Sequence, residues 1–237
     1  MNFKKLIDTA PMTLLLIGSF IAVFIIQILQ GVNIDNPSNK DLLNHGANFL
    51  PLTLTDDYWR LISSGFLHIG IIHLLLNGFA MYYFGQVTEV IISRWRFLVL
   101  FILSVVGGNL LNLSIGLYQL TNGQYPAISA GASGGIMGIG MTLLVISFSS
   151  LKAAKYLNRR SLFIIMALNI MMGFTIPNID NAGHIGGAIS GLILGLSFVL
   201  FYQHRYCFRI TAMMMIVAYV FIWYFLSLSL TQILLVG

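Results

Sequence analysis

The chain has 237 residues, of which 58% are hydrophobic and only 8% are charged. A soluble domain carries about 25% charged residues, so this composition excludes a water-soluble globular protein and favours a polytopic membrane protein. The net charge of +5 does not indicate nucleic-acid binding, because basic residues in a membrane protein mark its cytoplasmic loops.

Seven apolar stretches follow one another along the chain, and most approach the length of about 20 residues that a membrane-spanning helix needs. They run from Met12 to Leu29, Ile69 to Phe84, Phe97 to Leu120, Ser133 to Ser150, Leu162 to Ile176, Gly183 to Tyr202, and from Ile210 onward. The first is longer than the apolar core of a signal peptide, and no small-residue cleavage motif follows it. The sequence therefore predicts an all-α polytopic membrane protein with seven spans, the first of them retained.

Basic residues predict how these spans are oriented. Ten of the twelve precede span one or fall in alternate connections: Lys4, Lys5, Arg94, Arg96, Lys152, Lys155, Arg159, Arg160, Arg205 and Arg209. Lysine and arginine are retained on the cytoplasmic side, so we expect a cytoplasmic N-terminus and an external C-terminus. The long first connection, from about Gly31 to His68, is then external, and its stretch "LTLTDDYWRLISSGFLH" is expected to pack on or dip into the outer leaflet.

Span two carries two polar side chains near its outer end, His73 and Asn77. Their spacing places them on one helical face, whereas His68, five residues earlier, does not share that face. Polar groups are costly in lipid, so the pair has a function or forms an interhelical hydrogen bond.

Ser133 opens span four inside "SAGASGG", and His184 opens span six. The G-x-S-x-G spacing of a soluble hydrolase needs a strand and an α/β alternation, which this chain lacks. Both spans run inward, so serine and histidine begin at similar depth. A histidine near a serine hydroxyl is the arrangement of nucleophilic catalysis, in which the imidazole takes the hydroxyl proton.

Glycines recur every four residues on these same two spans. The positions are Gly134 and Gly138 on span four, and Gly183, Gly187, Gly191 and Gly195 on span six. If the two faces meet, His184 is carried to Ser133; the alternative is that they are ordinary helix-packing stripes.

No metal or cofactor is expected. The chain has no H-E-x-x-H motif, no pair of aspartates within its spans, and a single cysteine, Cys207.

Together these residues resemble the rhomboid family of intramembrane serine proteases. Gly131 to Gly134 resembles the nucleophile motif, "GHIGG" the histidine helix, and "HLLLN" the oxyanion histidine and asparagine. Trp59-Arg60 is similar to the family's Trp-Arg pair, and Glu89 to its structural glutamate. Met137 departs from the pattern, because the family often has an aromatic residue there that packs on the catalytic histidine; a thioether can also contact an imidazole.

The resemblance implies a dyad of Ser133 and His184, with His73 and Asn77 stabilising the oxyanion. Trp59, Arg60, Glu89, Gly131, Gly134, Met137 and Gly187 are expected in supporting roles. Asp180 is expected to be a solvated turn carboxylate outside the dyad. Substrates would be transmembrane-anchored proteins cut near the outer face, reaching the site past spans two and five beneath the loop of Pro177.

We expect one domain, with a six-helix core over residues 1–206 and an additional helix over 207–237. The expected location is a bacterial plasma membrane, and the expected partners are membrane substrates and the lipid bilayer. Two alternatives stay open: a transporter or channel lined by the same polar residues, and a non-catalytic relative that only binds membrane proteins.

The predicted orientation has a direct test. After Cys207→Ser, single cysteines at positions 180 and 155 are treated with a membrane-impermeant maleimide. We expect labelling at 180 and protection at 155, because the basic connections stay inside. The reverse pattern would contradict this orientation.

Overall fold

The structure is a computed structural model and describes residues 7–175 and 180–236, so Lys4, Lys5, Ile176 and Pro177 lie outside the described residues. Its helices in chain order are α1 (Pro11–Leu29), α2 (Asn39–Asn44), α3 (Leu50–Thr53), α4 (Arg60–Ser63), α5 (Ile71–Ile92), α6 (Arg94–Thr121), α7 (Ser133–Ser147), α8 (Arg159–Thr175), α9 (Asn181–Leu200) and α10 (Arg205–Val236). The all-α fold is as predicted.

The long helices lie where the apolar stretches predicted them. Four of the described helices, α1, α6, α9 and α10, are long and apolar enough to cross a membrane. A fifth span results if residues 60–66 and α5 are counted together, although they meet at 94°. The shorter α7 and α8 do not reach this length, so the seven-span topology stays a prediction.

The start of α1 is fixed by Glu89 near the end of α5. Its carboxylate is buried and accepts hydrogen bonds from the backbone N–H groups of Met12 (3.0 Å) and Thr13 (2.8 Å), and from the Thr13 hydroxyl (2.8 Å). The first N–H groups of a helix have no partner within it, and Pro11 suits the first position because it has no N–H. Glu89 therefore ties α1 to α5, which supports the structural role expected for it.

Glycine faces bring α6, α7 and α9 into backbone contact. A β-carbon at Gly187 would overlap the Gly134 carbonyl, and one at Gly191 would overlap the Gly138 carbonyl. Both residue numbers rise together along this contact, so α7 and α9 run parallel. The Thr142 hydroxyl extends the contact by donating to the Gly191 carbonyl at 2.9 Å. The two glycine faces thus meet, which is the condition under which the sequence pattern brings His184 to Ser133.

The first connection packs on the protein rather than forming a free linker. Leu50 and Leu54 of the α3 segment are buried in a cluster with Leu110 and Leu113 of α6 and Leu230 of α10. Its position relative to the outer leaflet remains a prediction.

The helix α10 contacts both this connection and α9. The Trp223 indole N–H donates to the Thr53 carbonyl at 2.9 Å, and the Ser227 hydroxyl donates to the Leu54 carbonyl at 2.7 Å. On the α9 side, the hydroxyls of Tyr219 and Ser190 are 2.7 Å apart.

Basic residues concentrate at one end of the bundle. Helices α6 and α8 begin at Arg94 and Arg159, and Arg209 lies near the start of α10; these residues lie at the end away from Ser133 and His184, together with the segment Lys152–Tyr156 that follows α7. Asp180 and the first connection with its aspartates lie at the other end.

The glycine contact generates a stability prediction. Gly191→Ala is expected to lose about 1–3 kcal/mol of stability, because its methyl group would overlap the Gly138 backbone. Thermal unfolding in detergent measures this loss. The matched control is Gly18→Ala in α1, where a β-carbon meets nothing within 4 Å and helix propensity alone favours alanine. Equal stability of the two variants would contradict the packing argument.

Candidate active site

Ser133 and His184 lie in the first turns of two adjoining parallel helices, α7 and α9. A β-carbon at Gly134 would be 3.1 Å from the Gly183 carbonyl oxygen, and each of these glycines is the chain neighbour of one of the two residues. Across the described residues the Ser133 hydroxyl and the His184 ring are not hydrogen-bonded to each other. Hydrogen bonds of catalytic pairs are often long without substrate, so this geometry is compatible with a nucleophile and its base.

Asp180 caps helix α9 and does not hydrogen-bond to the Nδ1 atom of His184. Its Oδ1 atom accepts from the Gly183 backbone N–H at 2.8 Å. The His184 Nδ1 atom is buried and has no hydrogen-bond partner in the described part of the chain. The expectation of a solvated turn carboxylate is wrong for Asp180, which is half-buried, because an aspartate before a helix satisfies an N–H group of its first turn.

The loop before Ser133 is held by backbone hydrogen bonds to the first connection. Asn48 and Ser129 exchange two such bonds of 2.9 Å, and the Gly131 N–H donates to the Ser64 carbonyl at 2.9 Å. Gly131 has φ +140°, and a β-carbon there would lie 2.6 Å from the Cε1 atom of His73. Glycine is therefore required at 131, both for its backbone conformation and for the close approach of the His73 ring.

His73 is held with a defined proton position. Its Nδ1 atom accepts a hydrogen bond from the Ile69 backbone N–H at 3.2 Å, so the neutral ring carries its proton on Nε2. This Nε2 atom is 3.0 Å from the β-carbon position of Gly131 and thus faces the serine loop. One turn further along α5, the Nδ2 atom of Asn77 is buried without a hydrogen-bond partner among the described residues. The site therefore offers two side-chain N–H groups on one face of α5.

His68 lies next to His73, although its spacing of five residues predicted that the two would not share a helical face. It is fully buried, and its ring centroid is 5.4 Å from that of His73 and 5.3 Å from that of Phe20. The helical-face argument does not apply to it, because α5 begins only at Ile71. His68 lies in the preceding loop, where Gly70 turns the chain at φ +88°.

Trp59 and Arg60 organise the first connection. The buried Arg60 guanidinium donates to the carbonyls of Leu43 (2.6 Å) and Ala47 (3.1 Å) and forms an ion pair with Asp57 at 2.8 Å. It also lies 4.7 Å from the centroid of the Trp59 ring. All of these contacts lie within the first connection, and they support a structural role.

Two asparagines of α6 also support the site, and sequence reasoning missed them. The Asn109 amide donates to the Ser64 hydroxyl at 2.7 Å, and the Asn112 side chain accepts from the Asn48 amide at 3.2 Å. Ser64 and Asn48 are the residues that hold the serine loop. The available signal was the presence of polar amides inside an apolar span.

Met137 and helix α8 complete the surroundings of His184. Met137 is buried in a cluster with Met166 of α8 and Ala188 of α9, which is one turn after His184. The backbone of Asn169 on α8 lies beside the histidine ring. A contact between the Met137 thioether and the imidazole stays a prediction, as does the role of Pro177.

The site is recessed within the bundle. Gly108 of α6 is level with Gly183, since a β-carbon there would lie 2.5 Å from the Gly183 carbonyl oxygen. From this level α6 continues to Thr121, roughly 20 Å further at about 1.5 Å per residue. A recessed serine, an imidazole and N–H donors together provide the groups needed for acyl transfer.

Known proteins share this sequence pattern. A family model described as the rhomboid domain matches residues 55–203. Rhomboid protease AarA of Providencia stuartii is 31% identical over 205 residues, which cover 80% of this chain and 73% of the relative. Rhomboid protease GluP of Bacillus subtilis is 33% identical over 173 residues, which cover 73% of this chain but only 32% of the relative. RHOMBOID-like protein 5 of Arabidopsis thaliana is 32% identical over 172 residues, 72% of this chain and 53% of the relative.

Proposed function

The chain belongs to the rhomboid family of intramembrane serine proteases, and on this premise we propose that it cleaves transmembrane-anchored proteins with Ser133 as nucleophile and His184 as general base. One observation carries the assignment of these two residues. The glycine contact between α7 and α9 places both at the start of parallel, adjoining helices inside the bundle.

The proposed reaction follows the chemistry of a serine–histidine pair. The Ser133 Oγ atom attacks the carbonyl carbon of the scissile peptide bond while its proton moves to the His184 ring. The imidazolium then gives this proton to the departing amine, and an acyl-enzyme remains. A water molecule, deprotonated by His184, hydrolyses the ester and restores the serine hydroxyl. In this proposal no aspartate hydrogen-bonds to the imidazole: Asp180 caps α9 through its Oδ1 atom, and the His184 Nδ1 atom has no hydrogen-bond partner in the described part of the chain.

The negative oxygen of the tetrahedral intermediate is assigned to N–H donors. We assign the Nε2–H group of His73 and the Nδ2–H groups of Asn77 to this role, together with backbone N–H groups at the start of α7. The Ile69 hydrogen bond supports this assignment, since it keeps the His73 proton on the nitrogen that faces the serine loop.

Substrate cleavage near the outer face follows from the orientation of the charges. The basic end of the bundle lies away from the site, and basic ends are held in the cytoplasm. A peptide bond of a membrane helix is accessible only where the helix unwinds, so helix-weakening residues near the cut favour cleavage. We propose a bacterial plasma membrane as the protein's location, with substrates reaching the site past α5 and α8.

The decisive test is covalent labelling of the serine. A fluorophosphonate probe is expected to modify Ser133 in the folded, detergent-purified protein, and the modified peptide is identified by mass spectrometry. His184→Ala is expected to lower the labelling rate by about 10²–10⁴, the usual contribution of a general base. The matched control is Ser147→Ala at the other end of α7, which should label as wild type.

A transporter or a non-catalytic binder would give a different result in this test. In either case Ser133 has no activated hydroxyl, and the folded protein would remain unlabelled. Cleavage of a reconstituted membrane-anchored substrate, absent in Ser133→Ala, separates the protease from both alternatives.

The oxyanion assignment predicts a specific kinetic pattern. His73→Ala and Asn77→Ala should each lower kcat by about 10²–10³, with little change in KM, because their partner carries charge only in the transition state. Initial rates over a substrate titration in liposomes separate the two constants, and thermal unfolding confirms that each variant is folded. Unchanged turnover in either folded variant would remove that residue from the oxyanion site.

The capping role of Asp180 predicts that replacing it by asparagine has only a small effect on activity. Asp180→Asn should keep kcat/KM within about tenfold of wild type, since asparagine caps a helix as well as aspartate does. Asp180→Ala should instead lose about 1 kcal/mol of stability, measured by thermal unfolding. A folded Asp180→Asn protein as inactive as Ser133→Ala would show that the dyad mechanism is wrong.

A further inference from the structure

Two pairs of hydroxyl groups join α10 to α9. The Tyr219 hydroxyl is 2.7 Å from the Ser190 hydroxyl. Nearer the start of α10, the Thr211 hydroxyl is 2.8 Å from the Ser197 hydroxyl. Along α9, Ser190 lies roughly 9 Å from His184 and Ser197 roughly 20 Å from it, at about 1.5 Å per residue. The pair that contains Tyr219 is therefore the one nearer to the candidate active site.

The Tyr219 pair is part of a series of hydrogen bonds that ends on the backbone of α9. Ser190 has a single hydroxyl proton, and it donates this proton to the Gly186 carbonyl at 2.8 Å. The bond between the two hydroxyls is therefore donated by Tyr219 and accepted by Ser190. Gly186 lies two residues after His184 on α9. The series thus connects α10 to the part of α9 that carries the histidine.

Helix α6 leaves room for this series at Gly107. A β-carbon there would overlap the Ser190 hydroxyl oxygen and lie 2.6 Å from the Tyr219 hydroxyl oxygen. The Gly107 carbonyl oxygen is also only 2.5 Å from the β-carbon position of Gly186. Ser190 is 1% exposed, so bulk water does not replace a lost partner of its hydroxyl. The position of the Ser190 side chain therefore depends on Tyr219.

The same face of α10 contacts the first connection. Trp223 lies one turn after Tyr219, so the two side chains share a helical face. The Trp223 indole N–H donates to the Thr53 carbonyl at 2.9 Å. The first connection holds the loop before Ser133, whereas α9 carries His184. One face of α10 thus contacts both parts of the protein that position the proposed dyad.

We propose that Tyr219 is a positioning residue for the proteolytic reaction, because through Ser190 it fixes the part of α9 that carries His184. A serine hydroxyl bonded to the carbonyl four residues earlier often bends a helix, and a donor to that hydroxyl strengthens the bond by polarising it. The local shape of α9 sets the distance and direction of the His184 ring relative to Ser133. This inference rests on the proposed function, and it assigns α10 to the support of the dyad rather than to contact with substrate.

The test measures kcat and KM of Tyr219→Phe in liposomes that contain a membrane-anchored substrate. Phenylalanine keeps the aromatic ring and removes only the hydroxyl. We expect kcat to fall by roughly tenfold with KM unchanged, because a small displacement of a catalytic group slows the chemical step and leaves substrate binding as it was. The rate at which a fluorophosphonate labels Ser133 should fall in parallel, since labelling needs the same activated hydroxyl.

Thr211→Val is the matched control. It also preserves the shape of the side chain and removes one hydroxyl from a hydrogen bond between α9 and α10. Both variants should lower the melting temperature by similar amounts, because each has lost one interhelical hydrogen bond. Only Tyr219→Phe should lower kcat, because only its partner lies near His184. Rates are measured well below the melting temperature of each variant, so that partial unfolding does not contribute.

A double-mutant cycle tests whether Tyr219 acts through Ser190. Ser190→Ala removes the acceptor of the Tyr219 proton and the bond to Gly186 together. This variant alone should lower kcat by roughly tenfold, which repeats the comparison with Thr211→Val independently of Tyr219→Phe. Adding Tyr219→Phe to Ser190→Ala is expected to lower kcat no further, since the two residues form one series. Losses that multiply in the double variant would contradict the coupling.

Other outcomes separate this inference from the proposed function. Wild-type kcat in folded Tyr219→Phe would overturn the inference alone. Equal losses of kcat in Tyr219→Phe and Thr211→Val would also overturn it, because α10 would then contribute only general stability. A folded wild-type protein in which Ser133 is never labelled would instead overturn the proposed function, and this inference with it.

Discussion

The architecture depends on the direct backbone contact between α7 and α9. In lipid, apolar side chains gain little by leaving their surroundings, so helices associate through close packing and polar contacts. Gly134 and Gly138 lie against Gly187 and Gly191 with no side chain between them. The carbonyl oxygens at this contact occupy the space that β-carbons would need. The same approach that holds the bundle together also fixes Ser133 and His184 at one level.

A second layer of polar contacts surrounds this apolar packing and fixes the loop before Ser133. Asn109 of α6 holds Ser64, and the Ser64 carbonyl holds Gly131. Each member of this series is buried or half-buried, where an unsatisfied polar group is costly. The first connection therefore acts as a rigid support for the serine loop, although it contains only short helices. Arg60 orders the first connection by donating hydrogen bonds to two backbone carbonyls of that same connection.

The sequence predicted the helices from their apolar length, and it placed Ser133 and His184 at the start of neighbouring spans. The four-residue glycine periodicity allowed the two faces to meet but left ordinary helix packing as an alternative, and the structure shows that they meet. The sequence did not predict the contacts that involve residues in loops or at the ends of helices. His68 was set aside by a helical-spacing argument, yet the turn at Gly70 brings it against His73. Asp180 looked like a loop carboxylate in the sequence. It can be recognised as a helix cap only when the first residue of α9 is known exactly, because the cap is the residue directly before it. Asn109 and Asn112 carried a signal in their polarity, but their partners lie in loops whose path no periodicity specifies.

The contacts of α10 with the first connection also constrain how the protein is made. Trp223 bonds to a carbonyl 170 residues earlier in the chain, and Ser227 to one 173 residues earlier. Domains begin to form as the chain emerges from the ribosome, at about 5–20 residues per second. The first connection must therefore wait on the order of ten seconds for these partners. During biogenesis its carbonyls at Thr53 and Leu54 depend on water or other temporary partners, so the support beneath the serine loop is completed late in synthesis.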